Sequence, residues 1–592
     1  MKKWQLVPKI SPEFLAAHPE INPVVLQLLA NRGLKEDEAI NLFLEGGEGH
    51  DPFLFKNMAA AVDLIIKHLK NGSKIVVYGD YDADGVTASV ILLETLNILH
   101  GVTEVYLPDR VSEGYGLNKA AINQIVEQGF KLIITVDNGI RNKEEVAYAR
   151  KLGLDIIITD HHMLPEDEKD LPDCLYINPS DQQDCYPEKY LAGVGVSFKL
   201  VCALLAKANL PESQKKLIRE KCLDLVAVGT VADLVRLLGE NRQLVKDGLK
   251  VLNQNKRLGL NELIKVAKVN GGRLLQAWNI GWQIAPRLNA ASRLAHANNA
   301  FALLTTTDPA EAQELAVELN ARNISRQQIT EEISKQVEAQ IDSANLPLVI
   351  IGVAGEDQIW NEGVIGLVAG RIAEKYYRPT LIITRLIEEA EFDPLTKKLV
   401  PKKVTFKGSG RSVAEFNLIA AIETNADLLD KYGGHPMACG FSIENEKNLE
   451  IFKTRLLALA AQKLKAADLI PKLEIEAELK LNQINLDLAE QINKLAPFGQ
   501  NNPQPRFVSY DLRVDDITTM GFDNQHIKLR LSETAVPTGR GSSFWAISFG
   551  SAQEYREFKV GDRIDLVYYL EVNEFNGRKE PQLKIGDIKL RT

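Results

Sequence analysis

Short apolar runs rich in β-branched residues alternate with amphipathic helical stretches from about residue 50 to residue 240. Such runs, bounded by turn signals, are typical of buried strands in a parallel sheet that is covered by helices. The runs read KIVVYGD, TEVYLPD, KLIITVD, LDIIITD and CLYINP. A second strand–helix pattern begins at PLVIIGVAG and ends near residue 465. The sequence therefore predicts two α/β domains, the first of them built on a parallel sheet.

Three further segments flank or join these predicted domains. Residues 308–345 contain no glycine, and Ile329, Ile333 and Val337 lie four positions apart, which predicts one long connecting helix. After residue 465 the chain changes to short strands with turn residues, and Asn576–Gly577 indicates a hairpin of a small β-barrel. We expect an N-terminal helical lead (1–49), the first α/β domain (50–305), the helix (306–345), the second α/β domain (346–465), and a linker with the barrel (466–592).

The 592-residue chain has a net charge of −9 and a pI near 5.7, which disfavours a generic nucleic-acid binder, since such proteins are usually basic. A cluster of metal-binding carboxylates would inflate this acidic count, and a local basic stripe can bind phosphate in an acidic protein. The five cysteines form no C-x-x-C pair, which favours a reducing compartment. The N-terminus has no apolar signal region, and no apolar run approaches the ~20 residues of a membrane span, so we expect a cytoplasmic protein.

The first apolar run ends in an acidic cluster. In KIVVYGDYDADGVTAS, Asp80, Asp82 and Asp84 occupy alternate positions before Gly85. Although D-x-D-x-D-G begins the calcium loop of an EF-hand, the twelfth position is Ile91 rather than glutamate, and the segment follows a strand rather than a helix. The pattern instead indicates a strand that ends in carboxylates and turns into a helix. Ligands of such βαβ units bind beyond the carboxyl ends of the strands.

Further charged residues follow the other predicted strands. Two runs end in Asp137 and in Asp160 with His161 and His162, and Asp233 lies in the helical segment VADLVRL. A solvated strand end explains any one of these aspartates alone. Parallel strands would place them around one crevice, however, where so many carboxylates repel one another unless cations neutralise them. Carboxylates with one or two imidazoles suit Mn²⁺ or Mg²⁺, and two ions ~3.5–4 Å apart support in-line displacement at phosphorus.

The segments GDYDADGVTAS, TVDNG, DHH and VADLVRL, in this order and spacing, resemble the motifs of the DHH phosphoesterase superfamily. The resemblance extends over almost the whole chain, well beyond the DHH triplet, which alone is a weak signal. It implies that two divalent metal ions are held by the residues that match the superfamily's ligands, namely Asp82, Asp84, Asp137, His161 and Asp233. It also implies a supporting role, as ligands, orienting partners or phosphate contacts, for Asp80, Asp160 and His162.

A basic run lies in the second predicted α/β domain. The segment KKLVPKKVTFKGSGRS carries six lysines or arginines, and its glycines would let the backbone approach a ligand, although a solvated basic hairpin is the alternative. Together with YGGHPMACGF, this run resembles the DHHA1 module that accompanies DHH domains. The resemblance implies that Ser409, Arg411 and His435 grip substrate phosphate across a cleft from the metals.

Three more arginines are candidates for phosphate contacts. Arg287 and Arg293 in APRLNAASRLA match a further element of the superfamily, and Arg110 follows the run EVYLP. Arginine suits such contacts because its guanidinium binds phosphate in a bidentate manner. Two positions depart from the superfamily's pattern, with Asn361 in place of a common histidine and Asn501 in place of a common glycine. The segment GVGVSF at 193–198 lacks the third glycine of a dinucleotide-binding fingerprint, and we reject that interpretation.

The predicted barrel determines the expected substrate class. It resembles the OB-fold of the bacterial single-strand-specific DNA exonucleases in this superfamily, and OB-folds bind single strands with basic grooves and stacking rings. Candidate rings and charges, many of the rings being expected in the barrel core, are Phe544, Trp545, Phe549, Tyr568, Tyr569, Phe575, Lys528, Arg530, Arg578 and Lys579. The resemblance implies hydrolysis of single-stranded DNA from 5′ to 3′ with release of mononucleotides, in recombination and repair. It also implies single-strand-binding protein and a RecQ-type helicase as partners.

Two alternative functions stay open. The first is a phosphodiesterase of the same superfamily that acts on short oligonucleotides or cyclic dinucleotides, but the short members with that activity lack the barrel. The second is a non-catalytic DNA-binding scaffold, since some relatives have lost their metal ligands. The presence of every expected ligand disfavours the scaffold.

Overall fold

The computed structural model describes residues 2–47, 49–110, 112–269, 273–294, 297–356, 358–393, 398–533, 542–575 and 577–591. The chain forms two compact units. The larger unit comprises Trp4–Ser292, His296–Leu319 and Glu474–Thr592, and the smaller unit comprises Met1–Lys3, Arg293–Ala295 and Asn320–Leu473. Within the described ranges, no helix combines the length and apolarity that a membrane span requires.

The N-terminal segment contains one strand, β1 (Lys3–Leu6), and three helices, α1 (Pro12–Ala17), α2 (Pro23–Asn31) and α3 (Asp37–Glu45). Proline at the first helical position and a capping side chain at Ser11 or Asn22 start the first two helices. The buried face of α2 belongs to the same apolar cluster as the C-terminal part of the chain. The predicted helical lead is therefore part of the larger unit.

A five-stranded parallel sheet lies at the centre of the larger unit, as predicted. Its order is β3-β2-β4-β5-β6, with the strands β2 (Lys74–Gly79), β3 (Val102–Tyr106), β4 (Leu132–Val136), β5 (Asp155–Thr159) and β6 (Leu175–Ile177). Along β2, Ile75 and Val77 join one apolar cluster and Val76 and Tyr78 join another, because successive side chains point to opposite faces. Both faces are thus covered, which explains why the runs are continuously apolar.

Helices surround this sheet and continue the chain beyond it. Those of the sheet domain are α4 (Met58–Lys70), α5 (Ala83–Ile98), α6 (Lys119–Glu127), α7 (Lys143–Lys151), α8 (Gly193–Lys207) and α9 (Glu212–Ala232). They are followed by α10 (Gly239–Leu252), α11 (Leu258–Val266), α12 (Ala277–Asn279), a π-helical turn (Ile280–Ile284), α13 (Ala285–Leu294) and α14 (Asn298–Thr305). The predicted long helix is confirmed as α15 (Pro309–Ala339), which runs from the larger unit into the smaller one.

The smaller unit has a mixed five-stranded sheet of order β10-β11-β9-β8-β7. Only β7 and β8 are parallel among its pairs. Its strands are β7 (Ile350–Val353), β8 (Thr380–Asp393), β9 (Lys398–Arg411), β10 (Lys431–His435) and β11 (Ala438–Ile443). Its helices are α16 (Glu362–Tyr376), α17 (Leu418–Glu423) and α18 (Glu446–Lys463). The second α/β prediction is therefore confirmed, with antiparallel strands added to the sheet.

The C-terminal segment forms a closed five-stranded barrel, as predicted. Strand β14 pairs with both β15 and β17, and the pairs β15–β16, β16–β18 and β18–β17 complete the circle. The elements after residue 470 are β12 (Lys472–Ile475), β13 (Ala477–Glu478), α19 (Leu486–Asn493), β14 (Arg506–Met520), β15 (His526–Glu533), β16 (Ser543–Ser548), β17 (Arg563–Phe575) and β18 (Arg578–Leu590). The β17–β18 hairpin is confirmed, while Asn576 itself lies outside the described residues. Closure leaves few free sheet edges.

Candidate metal centre

The register of the parallel sheet brings three predicted aspartates together. The last residues of β2, β4 and β5 are paired with one another, so that Asp80, Asp137 and Asp160 each leave the sheet at the same edge. All three side chains are buried. Parallel strands share the direction of their carboxyl ends, which is why the local sequence pattern was sufficient to predict this grouping.

The start of α5 holds the other two aspartates of the first cluster. Asp82 caps this helix, and its Oδ1 accepts hydrogen bonds from the backbone N–H groups of Asp84 (2.9 Å) and Gly85 (3.1 Å). Asp84 accepts from the N–H of Gly193 (2.7 Å) and of Val194 (2.9 Å) at the start of α8. Helix N-termini stabilise carboxylates through these free N–H groups. Both side chains are therefore fixed in place by backbone donors.

Close backbone approaches and unusual dihedrals surround this cluster. A Cβ atom at Gly193 would lie 2.6 Å from Cβ of Asp137, so only glycine fits there. Asp137 and Leu234 adopt left-handed conformations, with φ of +64° and +60°, and Leu234 directly follows Asp233. Non-glycine residues in this region are strained and are held only when the surrounding structure requires them. One predicted metal ligand, Asp137, and the residue that follows another, Asp233, therefore adopt this conformation.

Several buried ligand atoms of the cluster lack a hydrogen-bond partner. His161 Nε2 lies 3.0 Å from Asp137 Oδ1, 3.6 Å from Asp233 Oδ2 and 4.0 Å from Asp84 Oδ2. Neither His161 Nε2 nor Asp137 Oδ1 makes a hydrogen bond, and the same is true of the buried Asp80 Oδ1. A buried polar atom without a partner costs about 1–3 kcal/mol. Three such atoms converging on one region are what a shared cation would satisfy, so the residues fit a metal.

The described residues offer three overlapping groups of ligand atoms, each within 4.8 Å of one another. The groups are Asp80, Asp82 and Asp137; then Asp84, His161 and Asp233; and finally Asp137, His161 and His162. Because Asp137 occurs in the first and the last group, its carboxylate lies between neighbouring sites. All the predicted metal ligands are thus brought together, and Asp80 and His162 are placed within reach as well.

Burial and mutual repulsion raise the pKa values of these carboxyl groups. Burial, and then the charge of Asp233, raises the pKa of Asp84 to about 7. Burial, and then the charge of Asp82, raises the pKa of Asp233 to about 7 as well. Burial together with neighbouring aspartates raises the pKa values of Asp80 and Asp137 well above the ordinary range. The cluster therefore requires either protons or cations at neutral pH.

Asp160 belongs to an outer layer of the centre. Its Oδ1 accepts from the backbone N–H of His161 (2.7 Å) and lies 2.8 Å from His162 Nδ1, while its Oδ2 accepts from the N–H of Ile140 (3.0 Å). Burial alone would raise the pKa of Asp160, but the hydrogen bond and charge of His162 hold it below the usual value. Burial alone would lower the pKa of His162, but the hydrogen bond to Asp160 and the charge of Asp160 raise it to about 9. Asp160 therefore fixes the ring of His162 and the backbone of His161.

Several residues that support the centre were not predicted from the sequence. The hydroxyl of Tyr115 donates to the backbone oxygen of Asp137 (3.0 Å), and the side-chain oxygen of Asn289 accepts from the N–H of Ala83 (2.7 Å). Gly193 was dismissed with the incomplete dinucleotide fingerprint, although its N–H holds Asp84. The paired glycines of GVGVSF were the one available signal, because they indicate a close backbone approach.

The three arginine candidates lie in different surroundings. The guanidinium of Arg110 stacks 4.9 Å from the ring centroid of Tyr81, and its charge opposes the rise in the pKa of Asp80. Arg287, on α13, donates to the backbone oxygen of Gln283 (2.5 Å), and burial lowers its pKa. Arg293 donates to the oxygen of Gly363 (2.8 Å) and belongs to the smaller unit. The charge of Arg110 therefore acts directly on the carboxylate cluster.

The remaining phosphate candidates lie on neighbouring strands of the smaller unit. Arg411 pairs in register with Ala438, which pairs with His435, so the arginine and the histidine lie two strands apart in one row. Arg411 donates to the backbone oxygen of Gly410 (2.9 Å) and lies 3.5 Å from Ser409 Oγ. Burial lowers the pKa of this arginine, whereas His435 is exposed. The three side chains therefore share one part of the sheet.

The basic run around these residues differs from the expected phosphate loop. Glutamates pair with three of its lysines, in the ion pairs Lys402–Glu391, Lys403–Glu388 and Lys407–Glu362, and Lys397 lies outside the described residues. Gly408 and Gly410 do not leave space for a ligand, since a Cβ there would lie 2.1 Å from the ring of Phe441 and 2.6 Å from Leu418. That interpretation of the glycines was wrong, because neighbouring side chains fill the space.

The two departures from the superfamily's pattern have local explanations. Asn361 caps α16, and its Oδ1 accepts from the N–H of Gly363 at 2.8 Å. Asn501 has φ of +59°, a left-handed conformation that glycine favours and that asparagine tolerates better than most residues, because its short polar side chain can hydrogen-bond locally. Each substitution therefore fits the backbone that it occupies.

Mn²⁺ should bind more weakly as the pH falls below about 7, because Asp84 and Asp233 take up protons near that pH in the metal-free chain. A raised aspartate pKa means that the metal-free fold binds these protons and that a cation must displace them. With pKa values of about 7, the apparent Kd should rise about fivefold per displaced proton, and so up to about thirtyfold, between pH 7 and pH 6. An electron paramagnetic resonance titration of free Mn²⁺ measures this change. Asp233→Asn should reduce the slope, and a pH-independent Kd would contradict the argument.

Comparison with known proteins identifies the three domains. Residues 74–230 match the DHH family, N-terminal domain, residues 345–462 match the DHHA1 domain, and residues 475–587 match the RecJ OB domain. These ranges coincide with the parallel sheet, the mixed sheet and the barrel, respectively. The predicted carboxylate cluster lies within the first match and its neighbouring helices.

Relatives with the same domains cover nearly the whole chain. The chain is 38% identical over 572 residues to single-stranded-DNA-specific exonuclease RecJ of Bacillus subtilis, covering 96% of this chain and 68% of that protein. It is 32% identical over 593 residues to RecJ of Escherichia coli, covering 96% of each. The crystal structure of RecJ in complex with Mn²⁺ from Thermus thermophilus matches with a TM-score of 0.79 and 28% identity, over 99% of this chain and 79% of that one. The chain therefore belongs to the RecJ family.

Proposed function

We propose that this protein is a metal-dependent exonuclease that hydrolyses single-stranded DNA from 5′ to 3′ and releases mononucleotides. The observation that carries the proposal is the convergence of buried, unpartnered ligand atoms from Asp80, Asp137 and His161. The name of the relatives, single-stranded-DNA-specific exonuclease, and RecJ structures in complex with Mn²⁺ and with Mg²⁺ support it. Mn²⁺ or Mg²⁺ is accordingly the cofactor.

The chain's own residues take defined roles in this proposal. Asp82, Asp84, Asp137, His161 and Asp233 would hold two ions, and Asp80 and His162 would add contacts, because all seven residues occur in the three groups of ligand atoms. When bound, the ions supply a hydroxide and stabilise negative charge at phosphorus. Burial, and then the charge of His162, lowers the pKa of His161, which keeps the imidazole neutral as a ligand must be.

The phosphate-binding role falls to residues of both units. We assign contacts with the DNA backbone or with a terminal phosphate to Arg110, Arg287, Arg293, Ser409, Arg411 and His435. Support comes from the shared row of Arg411 and His435 and from the burial of Arg411, because a desolvated guanidinium makes stronger contacts with an anion.

The barrel is assigned to binding the strand beyond the metals. Phe549 is exposed, and the ammonium of Lys528 lies 4.3 Å from the ring centroid of Trp545, whereas Tyr568 is fully buried in the barrel core. Exposed rings beside cations are the usual means by which OB-folds bind single strands. We further propose single-strand-binding protein and a RecQ-type helicase as partners in recombination and repair. The five cysteines, all free, suit the reducing cytoplasm.

The alternative is a phosphodiesterase for short oligonucleotides or cyclic dinucleotides. This enzyme would use the same metal centre, so the carboxylate cluster does not distinguish it from the exonuclease. The OB barrel favours the exonuclease, because a small substrate gives such a domain nothing to bind. A non-catalytic scaffold is disfavoured, since a cluster with raised carboxylate pKa values is costly to retain without a cation.

A Mn²⁺-dependent digest of a long single strand labelled at either end tests the proposal. The matching blunt duplex and a dinucleotide serve as competing substrates. We expect early release of the 5′ label as a mononucleotide from the single strand, with the duplex intact. Early release of the 3′ label would contradict the polarity. Cleavage of the dinucleotide with the long strand intact would favour the phosphodiesterase instead.

A further inference from the structure

Two tryptophans are exposed beside the metal centre. The side chains of Trp278 and Trp282 are 58% and 68% exposed, although tryptophan is among the residues with the largest apolar area and is usually well buried. They lie four positions apart, in α12 and in the π-helical turn, so they share one face of the helical segment Ala277–Leu294. An apolar surface of this kind marks an interaction site rather than a solvated helix face.

Two independent contacts fix this helical segment against the metal centre. At its C-terminal part, Asn289 accepts from the N–H of Ala83, which lies between two of the predicted metal ligands. At the π-helical turn, a Cβ on Gly281 would lie 3.5 Å from Val231, two residues before Asp233. That distance is an ordinary van der Waals contact, so the turn packs against α9 at this point. The tryptophans are therefore presented by a segment that is tied to both sides of the cluster.

The helical geometry gives the distance along the segment between each tryptophan and Asn289, the residue that contacts the metal centre. With a rise of 1.5 Å per residue, Trp282 lies about 10 Å and Trp278 about 17 Å along the segment from Asn289. These separations correspond to a few nucleotides of an extended strand. Since π-helical turns are rare and occur frequently at functional sites, the position of Trp282 in such a turn agrees with a binding role.

We propose that Trp278 and Trp282 form a stacking surface for the unpaired bases of a single strand whose reacting phosphate lies at the metal centre. This inference rests on the proposed function and deepens it, because it names the part of the substrate that the segment recognises. Every base presents a π face, so stacking tolerates any sequence. Bases of a duplex are already stacked and paired, and thus cannot occupy the surface. The tryptophans would therefore contribute to selectivity for single strands.

Binding measured without catalysis tests this surface. A fluorescently labelled oligothymidylate is titrated with the full-length protein in the presence of chelator, and its anisotropy is followed. Stacking contributes ~1–3 kcal/mol per base, so each of Trp278→Ala and Trp282→Ala should raise the Kd about tenfold, and the double variant about a hundredfold. Trp282→Phe should restore much of the affinity, since phenylalanine also stacks. Leu217→Ala, an exposed apolar residue near the other end of α9, is the matched control.

An abasic strand of the same length separates stacking from backbone contacts. Wild-type and double-variant proteins should bind it with equal affinity, because it presents no bases. A Kd for oligothymidylate that the double variant leaves within twofold of wild type would overturn the inference. So would a change in sedimentation of the double variant alone, which would indicate that the surface joins two copies of the chain. A wild-type protein that binds the strand but fails to hydrolyse it with Mn²⁺ would refute the exonuclease and leave the stacking result valid.

Discussion

Replacing Asp137 with asparagine should reduce Mn²⁺-dependent hydrolysis of a single strand by about a thousandfold or more, because this carboxylate takes part in two of the ligand groups. Asparagine keeps the size of the side chain and tolerates the left-handed backbone at this position, where φ is +64°. The loss should therefore reflect the missing ligand rather than a misfolded loop. Single-turnover kinetics with a 5′-labelled strand measure the change.

The same substitution should stabilise the metal-free protein. The pKa of Asp137 is raised well above the usual range by burial and then by neighbouring aspartates. The contribution of such a group to the stability of the fold falls as the pH rises from the ordinary aspartate pKa toward its folded pKa, because the folded state binds the extra proton. Asp137→Asn should thus increase the Tm in chelator at pH 8 and remove the gain that Mn²⁺ gives to wild type. Asp63→Asn, at an exposed position of α4, is the matched control for charge.

The second large effect should be on stability. Arg32→Ala should lower the free energy of unfolding of the larger unit by about 3–5 kcal/mol, because it leaves Glu476 buried without a counter-charge. Arg32 donates to Glu476 Oε2, to Asn502 Oδ1 and to the backbone oxygen of Pro503, each at 2.7 Å, and the two charged side chains are 2% and 7% exposed. Urea denaturation monitored by circular dichroism measures the loss.

An exposed ion pair of the C-terminal barrel provides the comparison with the buried Arg32–Glu476 pair. Arg563 pairs with Asp511, but its side chain is 55% exposed, so Arg563→Ala should change stability by at most about 1 kcal/mol. Equal losses of stability in Arg32→Ala and Arg563→Ala would contradict the view that α2 is an integral part of the barrel core. Arg32→Lys should recover part of the loss, since lysine restores the charge but not the forked set of donors.

The parts of the site that depend on local pattern were predictable. A run of apolar residues defines a buried strand, and parallel strands leave the sheet at one edge, so Asp80, Asp137 and Asp160 had to converge. The closed barrel followed from short strands with turn residues, and the hairpin followed from Asn576–Gly577. In each case a few neighbouring residues carry the whole signal.

The parts that depend on distant partners were not predictable. Gly193 holds Asp84 from 109 positions away, and Arg32 meets Glu476 across 444 positions. Neither contact can be recognised from the hydrophobic periodicity of the two segments that form it. The lysines of β9 were predicted to form a basic phosphate loop because the glutamates that pair with two of them lie elsewhere in the sequence, on the opposing strand β8. Long-range register determines these contacts, and one sequence does not reveal it.

The central claim is that two cations bound by this cluster make the chain an exonuclease for single strands. A stepwise Mn²⁺ titration of the metal-free protein tests it most directly, with bound ions counted by electron paramagnetic resonance and release of the 5′ label followed in the same samples. We predict two bound ions per chain, with label release developing as the second ion binds, and neither event in Asp137→Asn. Full hydrolysis with one ion or with none would contradict the account.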